Sequence, residues 1–346
     1  MRYRYLTSLG VLAVGLTVVC VATVSVRGQT PAPKPVAAPA PKFGPAPRTP
    51  WGEPDLQGTW FVMESVPLER STANVGKPLL SDAEVAALDK GKAGDMGRNM
   101  RSENATRDVE GAYNAVFNSV LKTSKRTSMI IDPPDGKIPP QTPEAQQRQG
   151  RGGGGRGGAG GGRGGATAQN DNPETTAQSP RCLGVQMPFL PLNTAFAQGT
   201  VMQIVQSQKS MGIYMEDDHA GGGNRVIFMD GRPHSKAKSV LGDSRGHWEG
   251  NTLVVETTNF TQGFRGSSPD TYRMIEKFTR VDSNNLKREI TFDDPKTWTR
   301  PWTLLIEMGK TGDNRHMIYD SACHEGNYGM TGILIGARKE EAAAKK

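Results

Sequence analysis

The chain has 346 residues, of which 42 are Gly and 24 are Pro while only 6% are aromatic, a balance that excludes one uniformly packed globule of this length. Its formal charge is +7, yet ten cations with no acid among them lie in three stretches: Arg2, Arg4 and Arg27 in 1–28, Lys34, Lys42 and Arg48 in 29–50, and Arg148, Arg151, Arg156 and Arg163 in 148–165. Setting them aside leaves −3 for the remainder, which excludes the basic stripe that a nucleic-acid partner requires.

Residues 1–28 begin with two arginines, continue through the apolar run Leu9–Val24 and end in Val26-Arg27-Gly28 before Gln29. That order of basic, apolar and small is a secretory signal peptide with its cut at Gly28/Gln29. The apolar run is shorter than the ~20 residues of a spanning helix, so the sequence predicts no transmembrane anchor after cleavage and an exported, periplasmic or extracellular protein. Removal of the signal takes Cys20 with it. The remaining Cys182 and Cys323 are expected to pair in an oxidising compartment, two buried free thiols being the alternative.

Residues 29–50 hold eight prolines and read as an extended spacer. Residues 51–338 read as one domain, interrupted at 141–179 by a disordered insertion whose centre, 150–165, is twelve Gly, three Arg and one Ala. Residues 339–346 read as a charged tail. Within the domain, alternating or β-branched runs predict strands at 57–65, 112–121, 127–131, 201–206, 211–216, 225–230, 252–258, 272–281, 286–292, 302–307 and 316–321, joined by turn sequences such as Gly250-Asn251 and Asp282-Ser283-Asn284-Asn285. One helix is predicted over Ser81–Lys90, where Ser81 and Glu84 make a capping box. No βαβ rhythm is present. The expected fold is all-β: an antiparallel barrel or sandwich whose strands follow one another in a meander.

Gly242-Asp243-Ser244-Arg245-Gly246 satisfies G-x-S-x-G, with Asp293, Asp294, His316 and His324 following in hydrolase order. The elbow works only where a helix leaves the turn, and here the exit is a hairpin into Thr252–Val255. Read as an extended strand, 243–249 projects Asp243, Arg245, His247 and Glu249 to one face and Ser244, Gly246 and Trp248 to the other. Such a face binds an anionic or hydroxylated ligand, or makes His247 a general acid/base oriented by Asp243 or Glu249 with Arg245 stabilising negative charge. Its alternative is a solvent-facing ladder of ion pairs.

In 293–302 the same parity aligns Trp298, Arg300 and Trp302, which would stack a guanidinium between two indoles, as a core lock or as a platform for a planar or sugar ligand. Pro301 implies an edge or bulge there. Cys323-His324-Glu325, Glu216-Asp217-Asp218-His219 and the Asp230–His234 segment lack the spacing of a zinc site, so neither a metal nor a cofactor is expected.

Gln57-Gly58-Thr59-Trp60 resembles the G-x-W opening of lipocalins and related calycin barrels, in which the Trp closes the barrel bottom. More widely, the chain resembles a set of exported bacterial proteins sharing the strings PDLQGTW (54–60), MDGRPH (229–234), GDSRGHWEGNTLVVETTNF (242–260), FTRVD (278–282), DDPKTWTRPWT (293–303) and ACHEGNY (322–328). The resemblance implies one fold for these strings and a peripheral Gly/Arg tract, and it carries no activity with it. The expected function is binding of a small, partly apolar ligand in the interior or mouth of a calycin-like barrel. The charged face of 243–249, with Arg232, His234, His324 and Glu325, would orient the ligand, and Trp60, Trp248, Trp298 and Trp302 would supply apolar wall. The alternatives are a secreted hydrolase, lyase or isomerase using His247, and a cell-surface structural module.

Overall fold

A computed structural model of the chain describes residues 44–93, 121–151, 172–176, 179–182, 187–188, 190, 201–215, 223–310, 318 and 323–344. The expected signal peptide, most of the Pro-rich spacer, the Gly/Arg tract, Glu216–His219, and all but Leu121 and Ile318 of the strands expected at 112–121 and 316–321 lie outside the described residues.

Twelve strands are described: β1 (Gly58–Val62), β2 (Glu64–Ser65), β3 (Lys122–Thr123), β4 (Ile130–Asp132), β5 (Val201–Gln206), β6 (Ser210–Met215), β7 (Gly223–Phe228), β8 (Asp243–Glu249), β9 (Thr252–Thr258), β10 (Arg273–Arg280), β11 (Asn285–Asp293) and β12 (Trp302–Gly309). β1 and β5 to β12 pair in that order, and β1 closes the ring on β12 through Phe61↔Gly309 and Val62↔Met308. The result is a nine-stranded barrel with β4 added along the free half of β12.

The strands form where the sequence alternates. In β10 and β11 every second residue is buried, and the same period runs through β5, β6 and β12. One side of each strand therefore fills the barrel, with Met202, Met211, Ile227, Val255, Phe278 and Ile290 essentially inaccessible. Burying each such side chain contributes about 1.5–3 kcal/mol.

Between β5 and β12 the antiparallel meander breaks once. β7 and β8 are parallel, with Ile227 opposite Ser244 and Phe228 opposite Arg245. A parallel pair needs a crossover of a dozen or more residues, and Met229–Gly242 supplies one by returning along the barrel exterior before β8 begins. Gly242 ends the crossover at φ +71, and a Cβ there would meet the Thr258 carbonyl at 2.8 Å.

One end of the barrel is closed around Trp60, which is fully buried and donates from Nε1 to the Leu56 carbonyl at 2.9 Å. The Arg280 guanidinium and the Lys310 ammonium lie 5.1 and 4.8 Å from its ring centroid. Arg280 also donates to the carbonyls of Asp55, Asp282 and Ser283, and Lys310 to that of Gln57. Gly58, two residues before Trp60, adopts φ +123 beneath the end of the Lys310 side chain, a backbone conformation that favours glycine. At the opposite end Trp298 and Trp302 meet edge to face at 5.6 Å, and Phe292 stacks on Trp302 at 4.1 Å.

Helix α1 (Asp82–Ala93) starts with the expected capping box: Glu84 accepts from the Ser81 backbone N–H at 2.9 Å, and Ser81 Oγ accepts from the Glu84 N–H at 3.3 Å. Two more α-helices are described. Helix α2 (Pro143–Arg151) occupies the start of the stretch expected to be disordered. Its Thr142-Pro143-Glu144 opening is a helix start, with Thr142 Oγ1 accepting from the Ala145 N–H at 3.2 Å, and Arg148 fastens it to Thr297 Oγ1 at 2.8 Å. Helix α3 (Gly329–Ala344) takes in most of the expected tail. It follows the Cys182–Cys323 disulfide, across which Asn327 donates to the Pro180 carbonyl at 2.9 Å. Among the described residues no helix is long and apolar enough to cross a membrane.

Candidate functional site

The parity of 243–249 is as the sequence implies, and closure of the barrel turns the charged face outward. Ser244 is buried and hydrogen-bonds Thr257 Oγ1 at 2.9 Å. Gly246 faces inward too, where a Cβ would stand 2.9 Å from Ile227, and Trp248 packs against the core. Ser244 is thus the second residue of β8, turned inward beside a threonine and followed by strand rather than helix, which removes the hydrolase elbow.

On the outer face Asp243 is the centre of a clasp. Its Oδ2 accepts from the Ser235 N–H at 2.7 Å and contacts His234 Nδ1 at 3.0 Å, while Oδ1 accepts from Arg245 Nη1 at 2.6 Å. Burial opposes its ionisation, but the Ser235 N–H, His234 and Arg245 together hold its carboxyl below the usual range. Arg245 in turn donates to the carbonyls of Arg232 and Pro233, and Arg232, paired with Asp230, lies 4.2 Å over the Phe228 ring. Asn259, at φ 57, donates to the Ser235 carbonyl. The strings MDGRPH and GDSRGHWEG and the TTNF end of 242–260 therefore meet in one place, where they fasten the crossover to β8.

His247 and Glu249 stand clear of this clasp, solvent-exposed and 3.1 Å apart. His247 is four residues along β8 from Asp243, about 13 Å at strand rise. His324 and Glu325 are exposed in the turn after Cys323. Of the groups expected around His247, Glu249 meets it on the exposed face, while Asp243 and Arg245 are engaged with each other in the clasp. Among the described residues no group of three His, Cys, Asp or Glu is placed to hold a metal ion.

The expected Trp298/Arg300/Trp302 sandwich is also corrected. Asp294 accepts from the Ser268 N–H and Thr271 Oγ1, both at 2.6 Å, and its carbonyl accepts from the Thr297 and Trp298 N–H groups. Residues 294–301 are consequently a turn, and strand parity does not apply to them. Trp298 and Trp302 are buried against each other, while Arg300 points out to Asp132 with bonds of 2.8 and 2.9 Å.

The chemistry that the sequence reading missed is inside the barrel. Glu276 of β10 is fully buried; its Oε2 accepts from Arg225 of β7, and its Oε1 from Nε and Nη2 of Arg288 of β11 at 2.9 and 2.7 Å. β7 and β10 are three strands apart around the wall, roughly 14 Å at the usual spacing, so the Arg225–Glu276 bond crosses the interior. Burial opposes ionisation of Glu276, but the charges of Arg225 and Arg288 prevail and lower its pKa. Among the described residues, the buried Nε and Nη2 groups of Arg225 have no hydrogen-bond partner. Arg288 Nη2 also donates to the Pro188 carbonyl at 2.8 Å, so one backbone oxygen of the chain already sits against the cluster. Nearby Tyr272 is buried with an unpartnered hydroxyl; burial first, then the charges of Glu276 and Asp294, keep it a neutral phenol.

One signal in the sequence marks this cluster. Glu276 stands between Met274 and Phe278 in the buried register of β10, and Arg288 between Leu286 and Ile290 in that of β11. A charge within an apolar register is expensive unless paired, and therefore informative. Comparison of the chain with protein-family models, with curated proteins and with solved structures found no match.

Proposed function

We propose that this chain is an exported barrel protein that binds a small, partly apolar ligand in the barrel interior, anchored by Arg225, Glu276 and Arg288. The observation that carries the reading is the unpaired pair of Arg225 donors at the centre of a methionine- and isoleucine-rich interior. Buried polar groups are nearly always partnered, and a core built for stability alone would put apolar side chains in this register. A ligand that brings acceptor atoms and an apolar body meets both features.

The anchor is thus not the set of outward residues Asp243, Arg245, His247 and Glu249. Trp60, Trp298 and Trp302 belong to the buried core, with Trp248 packed against it, and they shape the interior as wall rather than as an open platform. No observation favours a catalytic role for His247.

The test is titration with the neutral fluorescent probe N-phenyl-1-naphthylamine, followed by a thermal-shift screen of apolar and aromatic small molecules. Saturable probe binding, displaced by at least one compound that raises Tm, is expected. Absence of both would overturn the reading.

A further inference from the structure

We propose that the interior anchor takes a monocarboxylate, its carboxylate seated on the Nε–Nη2 edge of Arg225 and its aliphatic or aromatic body lying among the apolar side chains around it. This rests on the reading that the barrel holds its ligand inside.

Three observations select the headgroup. The first is geometric. Arg225 engages Glu276 through Nη1, which leaves Nε and Nη2, the two parallel donors of one guanidinium edge, buried and unpartnered. That edge matches the two oxygens of a carboxylate, whereas a hydroxyl or ester carbonyl satisfies only one donor well. The second is charge. Two guanidiniums share one carboxylate, so Arg225, Glu276 and Arg288 carry one net positive charge in a site where each side chain is at most 3% exposed. One monoanion balances that charge; a dianion overshoots it and a neutral ligand leaves it. The third is the surroundings. Ile227 follows Arg225 in the inward register, Ile213 is its cross-strand partner, and Met274 and Phe278 flank Glu276. These positions offer no further cation, which suits a single acidic head on an apolar body.

The experiment compares decanoate, decan-1-ol and methyl decanoate on the disulfide-intact protein at pH 7.5, each competing with N-phenyl-1-naphthylamine. Decanoate is expected to displace the probe roughly 10- to 100-fold more tightly than the alcohol or ester, the worth of a charge-assisted pair of hydrogen bonds. Arg225→Lys keeps the charge but lacks the two-donor edge, and is expected to lose that preference while still binding the neutral probe. Arg225→Met, which leaves Glu276 paired with Arg288, is expected to bind the alcohol at least as well as the acid.

Equal affinities for acid and alcohol in the natural protein would overturn the proposal without need of any variant. So would a full acid preference in Arg225→Lys, or a bound probe that decanoate does not displace. Failure of the neutral probe itself to bind would instead bring down the interior-binding reading on which the proposal rests.

Discussion

Glu276 and Arg288 lie on adjacent strands and share two hydrogen bonds, 2.9 Å from Nε and 2.7 Å from Nη2, on one carboxylate oxygen. The other oxygen reaches across the barrel to Arg225. One carboxylate thus ties the β10–β11 wall to β7.

Glu276→Gln leaves two buried guanidiniums without their counter-charge, and breaking a buried pair in this way costs about 3–5 kcal/mol. The pH dependence has a definite sign. The folded-state pKa of Glu276 lies below the ordinary glutamate value of 4.5, so its contribution is complete above that value and is lost as pH falls through it towards the folded-state pKa. Thermal unfolding between pH 7 and pH 3 is expected to show a drop in Tm below about pH 4.5 that is smaller in Glu276→Gln. Equal slopes for the two proteins would contradict the assignment.

Arg280 and Trp60 together close one end of the barrel. Arg280→Lys cannot serve three carbonyls and cover the indole at once, and is expected to lose about 2–3 kcal/mol. Trp60→Phe removes the bond to the Leu56 carbonyl and is expected to lose about 1–3 kcal/mol. Urea unfolding checks both, and because the two residues touch, the double variant should fall short of additivity.

The Cys182–Cys323 disulfide joins residues 141 apart in sequence, ahead of α3. Loop-closure entropy for so long a span makes it worth up to about 5 kcal/mol. The double Cys→Ser variant should unfold at lower urea, and reductant should lower the Tm of the natural protein alone.

Asp243 and His247 should behave oppositely although they share a face. Asp243→Ala releases Ser235, His234 and Arg245 from the crossover and is expected to lose about 1–3 kcal/mol. His247→Ala touches one exposed pair and is expected to stay within about 0.5 kcal/mol. A loss above 1.4 kcal/mol at His247, or probe binding that depends on it, would show that the outer face does more than clasp the crossover.

Alternation with a period of two made β5 and β9 legible to the residue, and β6, β7, β10, β11 and β12 nearly so. The Ser81–Glu84 box located α1. The Thr142-Pro143-Glu144 start of α2 was equally local, but the glycine-rich chain after it obscured that short helix. Parity applied to 297–302 misled, because Asp294 gathers those residues into a turn through Ser268 and Thr271, contacts that no local pattern announces.

By itself the sequence determined that this chain folds as β-strands and which residues share a face of each strand, and it pointed to Cys182 and Cys323 as the pair. Those properties depend on spacing along the chain. Only closure of the barrel decided which face became the interior. In β8, charged residues alternate with small and aromatic ones, so either face was acceptable until its neighbours were in place. Closure also brought Arg225 to Glu276, which lies 51 residues away in sequence, because groups three strands apart around a wall meet only when that wall closes on itself.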